Sequence, residues 1–440
     1  MDDHDDVAAD ADRITIARLH RRAGFGLAPG ELEARASDGV AATIDRLVDP
    51  DAHGGQAAVD PWADVELTPP TRQAGSSKEQ KQQFRKQNRE QSLAAIGAWI
   101  DHLATTSRPL ESWMTWFWHG HLVSGLDKVK SPFLMVQQLR TYQRLAFAPF
   151  PELLRAATVD PAMLIYLDGR ESTGSNPNEN YGREVMELFS LGVGAFSEDD
   201  VIAASVAFTG WRFEPGATAA TLVPGRHDDS SQTLLGRTDV HDVDSAIAAI
   251  TSHPACGPWV AGKLAKAMLG PDVDPAFVQG LGTRYAASGF DTRALLRELL
   301  AAVADGQAGG GGVWAPVPWL AAARRATTAA PPAGDVLKQL RAGGQVPMTP
   351  PNVAGWPAGA AWFASSTVVA RFDLAGAVAA GTPAANPARD AAARADVEAL
   401  AMALGRPEGF GPATRDAISR AGDPTVALAI ALSSPDHSLL

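Results

Sequence analysis

The chain has 440 residues, 45% of them hydrophobic and 20% charged, which fits a folded protein with a substantial core and excludes a disordered one. A net charge of −12 argues against nucleic acid as a partner, and the one basic stretch, 78–89, is interleaved with Gln and Asn and reads as a solvated helix face. The single cysteine, Cys256, excludes an intrachain disulfide and a cysteine-built metal site, and no apolar run reaches the ~20 residues needed to span a bilayer.

Residues 1–13, rich in Asp and Ala, read as a disordered acidic tail. With no apolar signal segment there, the expected location is cytoplasmic, the alternative being export with a signal-bearing partner. A main helical domain is expected over 14–304. It opens with an amphipathic segment from Ile14 that Gly24 and Gly26 stop, followed by a helix over 29–47 carrying Leu32, Ala36, Val40, Ile44 and Leu47. Prolines 61, 69 and 70 keep 50–76 a loop. Helices are then predicted over 78–103, 110–122, 133–147, 151–159, 161–167, 181–191, 198–208, 244–250, 254–268, 275–288 and 292–304. The stretch 168–180 (DGRESTGSNPNEN) is a polar loop. TLVPG at 221–225 and TLLG at 233–236 predict a small hairpin around 226–231. The glycine-rich run 305–312 reads as a linker, and 313–440 as a helical C-terminal extension packed on the main domain. The expected fold is all-α: a single large helical array with long polar loops and at most one small β-hairpin.

Several uncommon segments follow one another along the chain: HRRAGFG (20–26), WFWHGHL (116–122), NENYGREVMELFSLGVGAFSEDDV (178–201), AFTGWRF (207–213), HDDSSQTLLG (227–236), VAGKLA (260–265) and PPNVAGWPAGAAW (350–362). In these, over roughly 14–375, the chain resembles the uncharacterised bacterial family known as domain of unknown function 1800. The resemblance implies an all-helical fold and no agreed activity. It also implies frequent company with a second, sulfatase-like family. The chain departs at Phe189, where the family tends to carry a histidine, and at Gly120, where it tends to carry an asparagine between two histidines.

The polar clusters admit two readings each. His119 and His121 converge on a metal only if the helix ends between them, since on a continuing helix they point ~200° apart; otherwise they are core or capping histidines. Glu184 and Glu187, at i and i+3, project from one helix face as in carboxylate metal sites, or Arg183 simply pairs with Glu187 at i+4. Asn178 or Asn180 suits a helix N-cap, while the run Asn178, Glu179, Asn180, Tyr181 over a helix start also suits a polar ligand. His227 beside Asp228 reads as an acid–base dyad or as an Asx turn. Trp211 and Arg212, and later Asn352 and Trp356, suit stacking on a sugar, or hold loops down. His20, Arg21 and Arg22 open the matching region, and the two arginines are expected to brace carboxylates such as Glu184 or Glu187. GPWVAGKL has Leu264 where a P-loop needs a hydroxyl, and GxGxxG after a strand, HExxH and GxSxG are absent.

Two functions remain open. One is a metal-assisted or acid–base enzyme on a polar small-molecule, glycan or polymer substrate. It would use Glu184, Glu187, His227 and Arg183 in catalysis, Asn178, Glu179, Asn180, Tyr181, Trp211, Arg212, Asn352 and Trp356 in binding, and His119, His121, Glu184 and Glu187 on a divalent metal. The other is a non-catalytic binding or assembly protein with a buried His/Glu/Arg network, partnering a sulfatase-like protein. Cavity geometry separates them. An enzyme sets these groups at the floor of an open pocket, and a scaffold buries them satisfied and shows apolar surface elsewhere.

Overall fold

In the computed structural model, which describes residues 2–71, 77–308 and 312–440, helices carry almost all the regular structure, 23 of them among the described residues. The other elements are short 3₁₀ turns, a π-helix and two antiparallel two-stranded ribbons. No helix among the described residues is long and apolar enough to cross a membrane.

The first helix, Asp2–Arg22, begins inside the stretch expected to be a tail. Alanines favour helix. The helix expected over 29–47 is two helices, Glu31–Asp38 and Val40–Val48, because Gly39 between them adopts φ 85. The expected hairpin is also corrected. Thr221–Leu222 pairs with Trp211–Arg212, and Gln232–Leu234 with Arg237–Val240, so the two predicted strands belong to different ribbons. Of the expected glycine-rich linker, residues 309–311 lie outside the described residues, as do 72–76 of the loop before it.

One continuous hydrophobic core runs from Leu19 to Leu432. At its centre lies Pro109–His121, a helix apolar nearly all round, in which only Phe117 and Gly120 reach partial exposure. The Pro316–Thr327 helix joins the C-terminal third to this core. Its Trp319 donates to the Leu432 carbonyl (3.2 Å), and Arg325 donates to the Thr106 carbonyl (2.8 Å) and pairs with Glu31 (3.0 Å).

Candidate functional site

Because the Pro109–His121 helix is central, both of its histidines are buried, but on different sides. His119 sits among Trp99, Trp116 and Trp356, with ring centroids 5.3, 6.3 and 5.2 Å away. Its Nε2 accepts the Met348 N–H (3.2 Å), and its buried Nδ1 meets no acceptor or donor. Burial pushes its pKa down to about 3. His121 stacks on Phe117 (5.8 Å, 14°) and bonds the Phe189 carbonyl through Nε2 (2.8 Å). Burial, with Lys263 nearby, pushes it down to about 4. Both imidazoles are neutral near pH 7, and they do not converge.

Glu184 and Glu187 lie on a helix that changes register. Glu179–Glu184 is α-helical and Val185–Leu191 is π-helical, with the Gly192 N–H reaching back to the Glu187 carbonyl (3.1 Å) and Ser190 Oγ donating to the Val185 carbonyl (2.6 Å). Such segments are rare and recur at functional positions. Asn178 is the N-cap: its side chain accepts from the Tyr181 N–H (3.1 Å) and donates to the Leu167 carbonyl (2.9 Å). Tyr181 is buried, donating its hydroxyl to the Thr158 carbonyl, while Glu179 and Asn180 are exposed. Arg183 does not pair with Glu187 but with Glu198 of the next helix, Glu198–Ala207 (3.0 Å). That choice follows from close helix approach at Gly182, where a Cβ would stand 3.0 Å from the Val201 carbonyl.

Among the described residues no side-chain hydrogen bond or ion pair reaches Glu184 or Glu187. Both are half-buried. Burial, and then Glu187, raise the Glu184 carboxyl above its ordinary range, with Arg183 opposing. Glu184 and Asp127 in turn help burial raise the Tyr166 phenol to about 12. Tyr166, Glu184 and Asp127 therefore share one patch. The Pro350 ring borders it at Gly125, and Leu126 N–H donates to the Met348 carbonyl (2.8 Å).

The loop after Pro350 closes over the end of the central helix. Gly355, at φ 83, lets the chain pass the Gly120 carbonyl where any Cβ would collide. Trp356 then stacks on Trp116 (5.3 Å, 14°), with its buried Nε1 unpartnered. Asn352 is exposed and accepts the Ala354 N–H (2.9 Å), a turn within the loop.

His227 is spent elsewhere. Its Nδ1 bonds Thr209 (3.0 Å to Oγ1) and its Nε2 the His241 carbonyl (2.9 Å), while Asp228 accepts from the Ser230 N–H (3.0 Å). The polar loop 168–180 is stitched into this second cluster, with Gly174 N–H donating to the Arg226 carbonyl (2.8 Å) and Arg212 lying 3.8 Å from Glu171. Trp211 is half-buried on the same ribbon. Arg21 and Arg22 do not brace Glu184 or Glu187. They reach the carbonyls of Leu439 and Leu440.

The structure thus brings the motifs at 116–122, 178–191 and 350–356 to one place and leaves 209–228 apart. A family model described as a protein of unknown function (DUF1800) matches residues 18–439. The chain belongs to the DUF1800 family. No curated protein and no solved structure matches it.

In this DUF1800 chain the expected four-ligand metal site does not assemble. Among the described residues no three His, Cys, Asp or Glu side chains stand together as a metal would need. The Phe189 ring, where the resemblance implies a histidine, packs 6.5 Å from His121 and makes that side apolar. The chain does hold an open cleft that sequence reasoning missed, of about 820 Å³, lined by Asp51, Asp60, Arg108, Glu111, Arg140 and Gln143 among others. Several of its charges are paired: Arg108 with Glu111 (3.1 Å) and Asp51, Arg140 with Asp60 (2.7 Å). In sequence these residues read as an ordinary helix start and a loop, and only the packing of 51–60 on the later helices makes a cleft.

Proposed function

We propose that this DUF1800 chain is a non-catalytic binding or assembly protein. The observation that carries the reading is the outer face of the Ser365–Gly381 helix. Val368, Val369 and Phe372 are 47, 61 and 60% exposed there, with Phe363 of the preceding 3₁₀ turn 41% exposed, while Thr367, Ala370, Arg371 and Leu374 pin the underside to the core. Large apolar side chains grouped on a surface mark an interaction site. Of the polar groups, Tyr181 and His121 are buried and bonded, and His119 is buried with Nε2 engaged and Nδ1 without a partner. The partner to try first is the sulfatase-like protein that the resemblance implies.

The test is calorimetric titration of that partner with the wild type and with the Val369→Asp/Phe372→Asp double variant. Full burial of such side chains is worth about 1.5–3 kcal/mol each, so the double variant should bind at least about 100-fold more weakly. Both positions face solvent, so folding should be preserved. Equal affinity for both proteins would overturn this surface assignment.

A second reading rests on one observation. Glu184 and Glu187 are half-buried, lack a bonded partner and repel one another, which is the arrangement an acid–base pair needs. Under it, Glu184→Gln abolishes an activity; under the assembly reading the variant binds the partner as wild type does.

A further inference from the structure

A cavity of about 240 Å³ at the C-terminal end of the Asp2–Arg22 helix is lined by four arginines, Arg18, Arg21, Arg22 and Arg406, against the side-chain carboxylates of Glu408 and Asp436 and the terminal oxygen of Leu440. The carboxylates are occupied. Asp436 accepts from the Gly411 N–H (3.2 Å) and the Thr414 hydroxyl (2.5 Å), and Glu408 pairs with Arg406 (3.0 Å). Arg22 donates to the Met268 carbonyl and to the terminal oxygen of Leu440, each at 2.8 Å. Two donors are left over. Arg21, only 5% exposed, lies over the Trp314 ring (4.6 Å) and gives Nη2 to the Leu439 carbonyl, while its buried Nη1 has no acceptor. Arg18, half-buried on the same helix, makes no hydrogen bond or ion pair among the described residues. Burial, with Arg406 close by, lowers Arg21 to about 9, the mark of a cation short of counter-charge. The helix dipole accounts for arginines at this end of the helix, but not for a buried guanidinium nitrogen that bonds nothing.

We infer that this cavity binds a small oxyanion, inorganic phosphate or a phosphomonoester, held by Arg18 and the free edge of Arg21. The guanidinium fork matches the oxygens of a tetrahedral anion, and an enclosed, positively lined site favours a dianion over chloride. The site is distinct from the Glu184 patch and independent of the assembly reading.

The test is calorimetric titration of the full chain with inorganic phosphate and with phenyl phosphate, at fixed ionic strength in chloride. Binding in the millimolar range or tighter is expected. Arg18→Gln, which breaks no contact in the fold, should weaken it about tenfold, the size of one charge-assisted hydrogen bond. Glu408→Gln should tighten binding, an effect that damage to the fold does not mimic, and Arg85→Gln, on a remote helix, should leave it unchanged. Tighter phosphate than phenyl phosphate assigns the free ion, and the reverse assigns a monoester. No binding heat from either anion, or an Arg18→Gln protein that titrates like wild type, overturns the inference.

Discussion

Glu184 and Glu187 stand without a side-chain partner, whereas His119 and His121 each engage Nε2 and Asn178 both accepts and donates, and the difference is one of burial and reach. His121 and Asn178 each found a backbone carbonyl or amide within the fold, whereas the two carboxylates project past it. The Glu184 carboxyl is raised, so its protonated form is favoured in the folded state. The stability this gives is present below the ordinary carboxyl pKa and is lost as pH rises through the raised one. Glu184→Gln should therefore match wild type near pH 4 and exceed it at pH 8 by a few tenths to about 1 kcal/mol, a modest figure because the group is partly solvated. Urea unfolding at the two pH values checks this, and a variant less stable at pH 8 contradicts it. An asparagine N-cap at 178 or 180 was legible in the sequence because capping is local, and the structure selects Asn178. The fates of Arg21 and Arg22 were not, since they bond carbonyls 418 residues away.

Among the elements, the helices announced themselves through aromatic and aliphatic spacing. Lys78–Thr105, Pro109–His121 and Thr292–Ala304 fall where periodicity puts them, to within two residues. The π-helical turn at Val185–Leu191 was not legible, because one shifted register leaves the apolar pattern nearly unchanged. Arg183 shows the same limit: helical spacing offers Glu187, but the approach of Glu198–Ala207 at Gly182 supplies a better-placed carboxylate. The ribbons were missed for a related reason, since turn residues mark where strands end and not which strand each one meets. At the 350–356 loop, Gly355→Ala forces a Cβ against the Gly120 carbonyl at a left-handed φ. A loss of about 1–3 kcal/mol is expected in denaturant unfolding, with altered tryptophan fluorescence as Trp356 leaves Trp116. An unchanged midpoint would show that the loop does not depend on that crossing.

At the scale of the molecule, the core holds several neutral imidazoles. His20, His119 and His121 are depressed to about 4, 3 and 4 by burial, and His437 falls well below its ordinary value in the same way. A histidine lowered in the folded state contributes stability that is complete above the ordinary value of 6.5 and is lost as pH falls from there toward the folded value. Each costs about 1.4 kcal/mol per pH unit over that window. Asp160, buried and raised to about 7, opposes them, its contribution declining as pH rises from about 4 to 7. Four histidines outweigh one aspartate, so the urea midpoint should fall steadily from pH 7 to pH 4.5. A midpoint that is flat or rising over that range contradicts the burial of these rings.

The most direct test of the assembly role is amide hydrogen exchange of the chain with and without the sulfatase-like protein. The account predicts new protection over residues 365–376, on the apolar outer face of the Ser365–Gly381 helix, with exchange around Tyr166, Glu184 and Glu187 unchanged. Protection centred on Glu184 and Glu187 with none at Val369 and Phe372, or no protection anywhere at saturating partner, would contradict it.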